Sequence, residues 1–287
     1  MSALNLFVVG TTKGGTSTLH RWLQQHPDVF LPERKEMHFF CRCPELRGPS
    51  KAVRDTVDYQ KHFEGNTSQI IGEATPCYMY YPEVPAAIAG QFPSARIVVS
   101  LRDPVERFWS HYLMNEVYRP TNAPPETIVE SGLHLGPSNA LEDLVGVGMY
   151  HEQLERVFAA FGRDRVFVTF LEAIACEPEQ VALDLQLFLG IDPIAIDVSE
   201  RDKQYVEPRN ALGRLALRNR RIRQVGVALI PWRARRFLRT KVLGDPEKKP
   251  HLSEDLQERL RDIYRSDSRK LEILLGRELP WDWHRYG

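Results

Sequence analysis

The chain has 287 residues, of which 43% are hydrophobic and 26% are charged, as in an ordinary globular protein. Because 38 Lys and Arg residues balance 38 Asp and Glu residues, the net charge gives no reason to expect a nucleic acid partner. The first residues lead directly into an apolar segment, and no stretch is long enough to span a bilayer. We therefore expect no signal peptide and a cytoplasmic location.

The first elements in chain order are a strand, a glycine-rich turn and a helix. Leu6–Val9 is an apolar run that predicts a buried strand, and Leu19, Trp22 and Leu23 recur at helical spacing. Glycines let the backbone of the turn approach a ligand, and the helix offers unpaired N–H groups and the positive end of its dipole. The stretch therefore predicts a site for a phosphate-like anion. Its candidate ligands are Lys13, Gly14, Gly15, Thr16, Ser17 and Thr18.

The turn departs from the P-loop pattern in the position of its lysine. Gly10 and Gly15 have the P-loop spacing, but Thr16 and Ser17 stand where Lys-Ser/Thr is expected, and the lysine lies upstream at Lys13. That lysine normally contacts the β- and γ-phosphates of ATP, so its displacement disfavours an ordinary kinase or ATPase. The simpler alternative is a turn whose polar residues only cap the helix. The coincidence of a lysine, paired glycines and hydroxyls favours a site for an anionic 5′ group.

A carboxylate and an imidazole follow the second predicted strand, Val29–Leu31. If residues 36–40 are extended, side chains alternate in direction, and Glu36 and His38 point to the same side. Such a pair can act as a general base and its partner. A charged loop that enters an aromatic segment explains the same residues without any chemistry, and both interpretations stay open.

The third predicted strand, Gln69–Glu73, also ends in a polar residue. Glu73 would lie at the C-terminal end of this strand, where open α/β sheets bind their ligands.

The fourth predicted strand, Arg96–Leu101, leads into a helix that we expect Asp103 to cap. Arg102 and Ser110 could converge on a second anion, because a guanidinium binds phosphate through two parallel hydrogen bonds. An ion pair of Arg102 with Asp103 or Glu106 is an equal alternative.

The remaining pattern alternates helices and strands and predicts an α/β fold. We expect a P-loop-like, three-layer α/β/α domain with a central parallel sheet of about five strands, spanning residues 1–287 as a single domain. Residues 119–140 are expected to form an exposed loop beside the site, and the final helix to pack against the sheet. The other predicted elements are helices at 59–63, 82–92, 150–161, 181–189 and 253–275 and a strand at 166–170.

The C-terminal part, about residues 205–287, is predicted to be basic and mainly helical. Residues 209–241 contain eleven basic residues and no acidic one. They could help hold an anionic cofactor, an acidic acceptor or, at its periphery, a membrane surface. A solvated helical face is the simpler interpretation for most of them. The exception is Arg209, because the segment from Tyr205 to Asn210 resembles a loop that could close over a nucleotide.

The cysteines form no recognisable metal motif. Cys41, Cys43, Cys77 and Cys176 include no CxxC pair, and no matching His or Cys pair lies at ligand spacing. We therefore expect reduced thiols and no metal.

Together these stretches resemble the sulfotransferases that use PAPS (3′-phosphoadenosine-5′-phosphosulfate), nearest to heparan sulfate sulfotransferases and their bacterial relatives. The turn at 10–18 is similar to the family's 5′-phosphosulfate loop. Residues 97–107 with Ser110 are similar to its 3′-phosphate motif. Residues 35–40 are similar to the segment with the catalytic glutamate, and residues 73–78 to a further active-site segment.

The resemblance implies a role for each candidate residue. Lys13 would stabilise the leaving oxygen, and Glu36 would be the base, with His38 orienting it or sharing its role. Glu73, Thr75 and Tyr78 would contact the acceptor. PAPS would be the donor and PAP the product, and no metal would be required. The cofactor would be held by Lys13, Gly14, Gly15, Thr16, Ser17, Thr18, Arg102, Ser110, Tyr205 and Arg209.

The sequence also departs from the family at one informative place. Many heparan sulfotransferases have a lysine after the glutamate at position 73, whereas this chain has Ala74. That difference disfavours a highly sulfated polysaccharide and favours a smaller sugar, a lipid-linked glycan or another small molecule as the acceptor. Two alternatives from other classes are a P-loop kinase or NTPase and a non-catalytic nucleotide-binding protein.

Overall fold

A computed structural model describes residues 4–41, 52–53, 55–118, 123–130, 143–199 and 250–285. Within these residues, five strands form one sheet in the order β2-β3-β1-β4-β5, and every neighbouring pair is parallel. The predicted parallel α/β sheet is thereby confirmed. Its strands are β1 Leu6–Gly10, β2 Val29–Phe30, β3 Ile70–Ala74, β4 Arg96–Leu101 and β5 Val166–Phe170.

The described helices largely follow the sequence periodicity. They are α1 Thr16–Gln24, α2 Thr56–Lys61, α3 Val84–Gln91, α4 Pro104–Tyr118, α5 Pro125–Glu130, α6 Tyr150–Phe161, α7 Leu171–Cys176, α8 Pro178–Leu189 and α9 Glu254–Leu275. Sequence reasoning missed the short helices α5 and α7. The first of these lies inside the stretch expected to be a loop. Its six residues are too few to show a helical period, so the sequence pattern did not reveal it.

Helices cover both faces of the sheet, which gives the predicted three layers. Successive residues of β1 enter different cores, since side chains of a strand alternate between its faces. Phe7 packs in the core that includes Ile88 of α3 and Leu154 of α6. Val8 packs in the core that includes residues of α1 and α8. This two-sided burial explains why the strands are almost continuously apolar.

The topology creates a crevice at the carboxyl end of β1. From this central strand the chain crosses to β2 and β3 on one side, and later to β4 and β5 on the other. Connections that diverge in this way leave a gap between neighbouring strand ends, which is where open α/β sheets bind ligands. The glycine-rich turn follows β1 and Arg102 follows β4, so the fold brings both to this place.

The final helix packs only partly as predicted, because Leu271 lies in the core that contains residues of β4 and β5. Leu256, Leu260 and Tyr264 of α9 lie in a third core with Val105 and Phe108 of α4. The helix therefore packs mainly on other helices instead of directly on the sheet, because both sheet faces are already covered. No helix in the described ranges has both the length and the apolar character needed to cross a membrane.

Candidate active site

The turn after β1 owes its shape to two glycines. Gly15 has φ of 91°, a left-handed conformation, and precedes the first residue of α1. A Cβ atom on Gly14 would lie 2.3 Å from the carbonyl oxygen of Ser100, so a larger residue does not fit there. The amide of Thr11 donates to the same Ser100 oxygen at 2.7 Å. The turn is thus fixed against β4, with the N-terminus of α1 at its end.

This turn forms one wall of a cleft of about 260 Å³, which brings together most of the residues predicted to bind cofactor or catalyse. The cleft is lined by Thr12, Lys13, Gly15, Thr16, Ser17, Thr18, Lys35, Glu36, His38, Pro76, Cys77, Arg102, Ser110, Met114 and Leu171. Gly14 is buried in the turn itself. Tyr205 and Arg209 lie outside the described residues, so their role stays a prediction.

Lys35 is a cleft residue that the candidate set did not include. Its Nζ donates hydrogen bonds to Thr16 Oγ1 at 3.0 Å and to Ser17 Oγ at 2.9 Å. The same nitrogen lies 3.6 Å from Glu36 Oε1. Lys35 therefore joins the hydroxyls of the turn to the candidate base. Its position immediately before Glu36 was the only signal in the sequence.

The Glu36–His38 pair forms, but not from an extended segment. Both residues have positive φ, 63° for Glu36 and 53° for His38, so the expected strand geometry is wrong. The Glu36 amide donates to the carbonyl of Ala74 at 2.9 Å, which fixes the segment against the end of β3. Glu36 Oε2 lies 4.0 Å from His38 Nε2, with Glu36 half-exposed and His38 buried. Non-glycine residues rarely adopt this backbone, and when they do they are often at functional sites.

Glu73, Thr75 and Tyr78 are close together but buried, with 2%, 0% and 1% of their surfaces exposed. None of them lines the cleft, whereas Pro76 and Cys77 between them do. Thr75 Oγ1 donates to Glu73 Oε2 at 3.4 Å. Burial raises the pKa of Glu73 to about 7, against the opposing hydrogen bonds of Tyr78 and Tyr59. The structure gives this trio a position behind the wall, and acceptor binding by it stays a prediction.

Arg102 lies in the cleft and also forms the ion pair that was the alternative interpretation, while anion binding by Arg102 stays a prediction. Arg102 lines the cleft, and its Nη2 also lies 3.3 Å from Glu106 Oε2. Asp103 caps α4 as predicted, accepting hydrogen bonds from the amides of Val105 at 2.8 Å and Glu106 at 3.3 Å. Ser110, two turns into α4, lines the same cleft. A guanidinium and a hydroxyl thus line the same cleft as the glycine-rich turn.

Comparison with known proteins agrees with this arrangement. The family profile described as "Sulfotransferase domain" matches residues 4–273, nearly the whole chain. The chain belongs to the sulfotransferase family. Its homologues include heparan sulfate glucosamine 3-O-sulfotransferase 6 of Mus musculus, 26% identical over 96% of this chain and 72% of the homologue.

Solved sulfotransferases share the fold. The sulfotransferase from Alicyclobacillus acidocaldarius is 27% identical, with a TM-score of 0.74 over 99% of this chain and all of that one. Mouse SULT7A1, solved in complex with PAP, is 11% identical to this chain. Its TM-score is 0.53, over 95% of this chain and 86% of its own length. At this low identity the likeness supports a shared fold and nothing more. The chain described here is accordingly a sulfotransferase enzyme, and the expected enzyme class is confirmed.

Proposed function

We propose that this sulfotransferase transfers a sulfuryl group from PAPS to a hydroxyl group of a carbohydrate, glycolipid or small-molecule acceptor. The supporting observation is that two sets of candidate anion-binding residues line one cleft together with a candidate base. One set is the glycine-rich turn with Lys13, and the other is Arg102 with Ser110. PAPS carries anionic groups at both its 5′ and 3′ positions, whereas ATP has no 3′-phosphate. The second set therefore favours PAPS.

On the donor side, the turn would hold the 5′-phosphosulfate. The N-terminal amides of α1 and the hydroxyls of Thr16, Ser17 and Thr18 suit a phosphate group. Lys35 holds two of these hydroxyls in place through its hydrogen bonds. Lys13 would stabilise the negative charge that grows on the bridging oxygen as the S–O bond breaks.

At the 3′ end, Arg102 and Ser110 would bind the 3′-phosphate. Arg102 already pairs with Glu106 in this structure. Because that carboxylate is half-exposed, a phosphate could replace it as the partner of the guanidinium without leaving a buried charge unpaired.

On the acceptor side, Glu36 would remove the proton of the hydroxyl as its oxygen attacks sulfur. A new S–O bond forms to the acceptor, the S–O bond to the 5′-phosphate breaks, and PAP leaves with the electron pair. Glu36 is half-exposed at the cleft and can meet an acceptor, whereas His38 is buried beside it. This difference in exposure favours Glu36 as the base and His38 as the residue that orients it.

The acceptor is proposed by chemical class. Homologues named for heparan sulfate glucosamine support a carbohydrate hydroxyl. Ala74, which is buried at the carboxyl end of β3, follows Glu73 where many heparan sulfotransferases have a lysine. A sugar or glycolipid of low charge therefore fits better than a highly sulfated polysaccharide.

The proposal is tested by donor binding and by transfer. We expect PAP to bind the full chain at least about tenfold more tightly than ADP or ATP, since a charge-assisted phosphate contact contributes on the order of 1.5–3 kcal/mol. Transfer of labelled sulfate from PAPS to a panel of neutral sugars, glycolipids and phenols should then identify the acceptor class. A preference for ATP would contradict the proposed donor.

A further inference from the structure

The structure brings together a histidine and two cysteines that the sequence separates. His38 Nδ1 lies 3.5 Å from Cys41 Sγ and 3.3 Å from Cys77 Sγ, and the two sulfur atoms are 3.9 Å apart. His38 and Cys41 follow β2, whereas Cys77 follows β3, 36 residues further along the chain than Cys41. All three side chains are buried, with 4%, 1% and 3% of their surfaces exposed.

These separations match those of ligands around one tetrahedral zinc ion. Zinc binds thiolate at about 2.3 Å and imidazole at about 2.0–2.1 Å. Tetrahedral angles then place two sulfur ligands about 3.8 Å apart, and sulfur and nitrogen about 3.5–3.6 Å apart. The observed distances of 3.9, 3.5 and 3.3 Å therefore need only small side-chain adjustments.

The chemistry of the three ligands also indicates which metal they would bind. Two thiolates and an imidazole are ligands for zinc and similar soft or borderline ions, whereas magnesium and calcium require oxygen ligands. Among the described residues three side chains can supply ligands, and a tetrahedral ion takes a fourth. Since His38 and Cys77 line the cleft, water or a substrate oxygen can supply this fourth ligand.

We propose that His38, Cys41 and Cys77 form a zinc-binding site in the wall of the cleft. On binding, both thiols lose their protons to solvent, Nδ1 of the neutral imidazole coordinates the ion, and the ring proton resides on Nε2. Nε2 is the atom that lies 4.0 Å from Glu36 Oε2. A ligating histidine commonly directs its other N–H to a carboxylate, so zinc fixes the ring tautomer that faces Glu36. The expectation of no metal rested on the family resemblance and on sequence spacing, and spacing does not show that Cys77, at the end of another strand, folds against His38 and Cys41.

The site does not depend on the proposed donor or acceptor, and its test uses metal content and spectroscopy. The full chain is purified under reduction with a phosphine, loaded with zinc, dialysed, and measured by plasma mass spectrometry. We expect about one zinc ion per chain. Cobalt in place of zinc should give visible bands and sulfur-to-metal charge-transfer absorption of a tetrahedral thiolate site.

Variants locate the metal. Cys41→Ser and Cys77→Ser should each weaken zinc binding by more than about tenfold. Loss of even a residue that hydrogen-bonds a metal ligand lowers metal affinity about 10–100-fold, and these cysteines are proposed as ligands themselves. Cys176→Ser is the matched control, since Cys176 is exposed on α7 and should leave binding unchanged. Circular dichroism checks that each variant folds. Zinc retained by Cys77→Ser, or no thiolate absorption with cobalt in the wild-type chain, would overturn the proposal. So would a wild-type chain that binds no zinc and forms a Cys41–Cys77 disulfide instead.

Discussion

The two halves of the cleft are built in different ways. The donor half consists of a strand, a glycine-rich turn and a helix that are contiguous in the chain. The base half is a segment with two left-handed residues, Glu36 and His38, fixed by the contact of Glu36 with Ala74. Local preferences of glycine and of helix N-termini explain much of the first half, although its turn also rests on Ser100 of β4 and Lys13 has a left-handed φ of 71°. Nothing local favours the second half, which depends on its contact with the end of β3. We therefore expect substitutions in the two halves to separate donor binding from chemistry.

The largest effect is expected from Glu36→Gln, which tests the base half. Loss of a general base should lower kcat by about 10²–10⁴. PAP affinity should change by less than about threefold, because the amide keeps the shape of the side chain. Steady-state transfer and calorimetric binding of PAP measure the two quantities. Glu33→Gln, an exposed carboxylate on the same segment, is the control, and full activity of Glu36→Gln would refute the assignment.

Gly14→Ala tests the donor half by displacing its glycine-rich turn. The new Cβ would meet the carbonyl oxygen of Ser100 at 2.3 Å, so the turn must move from β4. We expect a loss of about 1–3 kcal/mol of stability together with weakened PAP binding. Urea unfolding and calorimetry measure both effects.

Gly90→Ala is the matched control for that change. Its Cβ would meet nothing within 4 Å, and the residue lies in α3, so stability should rise by about 0.5–1 kcal/mol. Unchanged stability and PAP affinity in Gly14→Ala would show that the contact with Ser100 does not shape the turn.

Lys35→Met tests the link between the halves. The change removes hydrogen bonds to Thr16 and Ser17 as well as the ammonium near Glu36. PAP affinity and kcat should therefore both fall, each by about tenfold, since a hydrogen bond to a charged group contributes about 1.5–3 kcal/mol. Lys61→Met, on the exposed surface of α2, should change neither. A fall in only one quantity would assign Lys35 to one half alone.

Glu272→Gln is a reference substitution outside the cleft. We expect it to have the smallest effect, and only on the stability of the fold. Hydrogen bonds from Arg285, with smaller contributions from His284 and Leu279, lower the pKa of Glu272 to about 2. A lowered carboxyl pKa stabilises the folded state above the ordinary value near 4.5, and this stabilisation is lost as pH falls towards 2.

Because the Glu272 pair is partly exposed, we expect the variant to lose only about 0.5–1 kcal/mol at pH 7. The difference from the wild type should shrink as pH falls below about 4.5. Urea unfolding between pH 3 and 7 measures it. Transfer activity at pH 7 should stay unchanged, which distinguishes a stability effect from an effect on the cleft.

Features that depend on residues near one another in the chain could be predicted from the sequence alone. Apolar runs gave the strands of the sheet, with the bounds of β4 and β5 correct, because a strand buried on both faces must be apolar throughout. Gly14 and Gly15 indicated the tight turn after β1, since a close backbone approach and a left-handed φ favour glycine. With Lys13, Glu36 and Arg102 in order along the chain, these features were enough to indicate the sulfotransferase family.

Features that depend on residues far apart in the chain became visible only in the folded structure. The left-handed backbone of Glu36 and His38 rests on the end of β3, the bonds of Lys35 cross to α1, and Glu73 is buried behind the wall of the cleft. The packing of α9 and the meeting of Cys41 with Cys77 belong to the same group. Such contacts form only when two segments fold against each other. The residue pattern of one segment predicts its secondary structure but does not show which other segment it contacts.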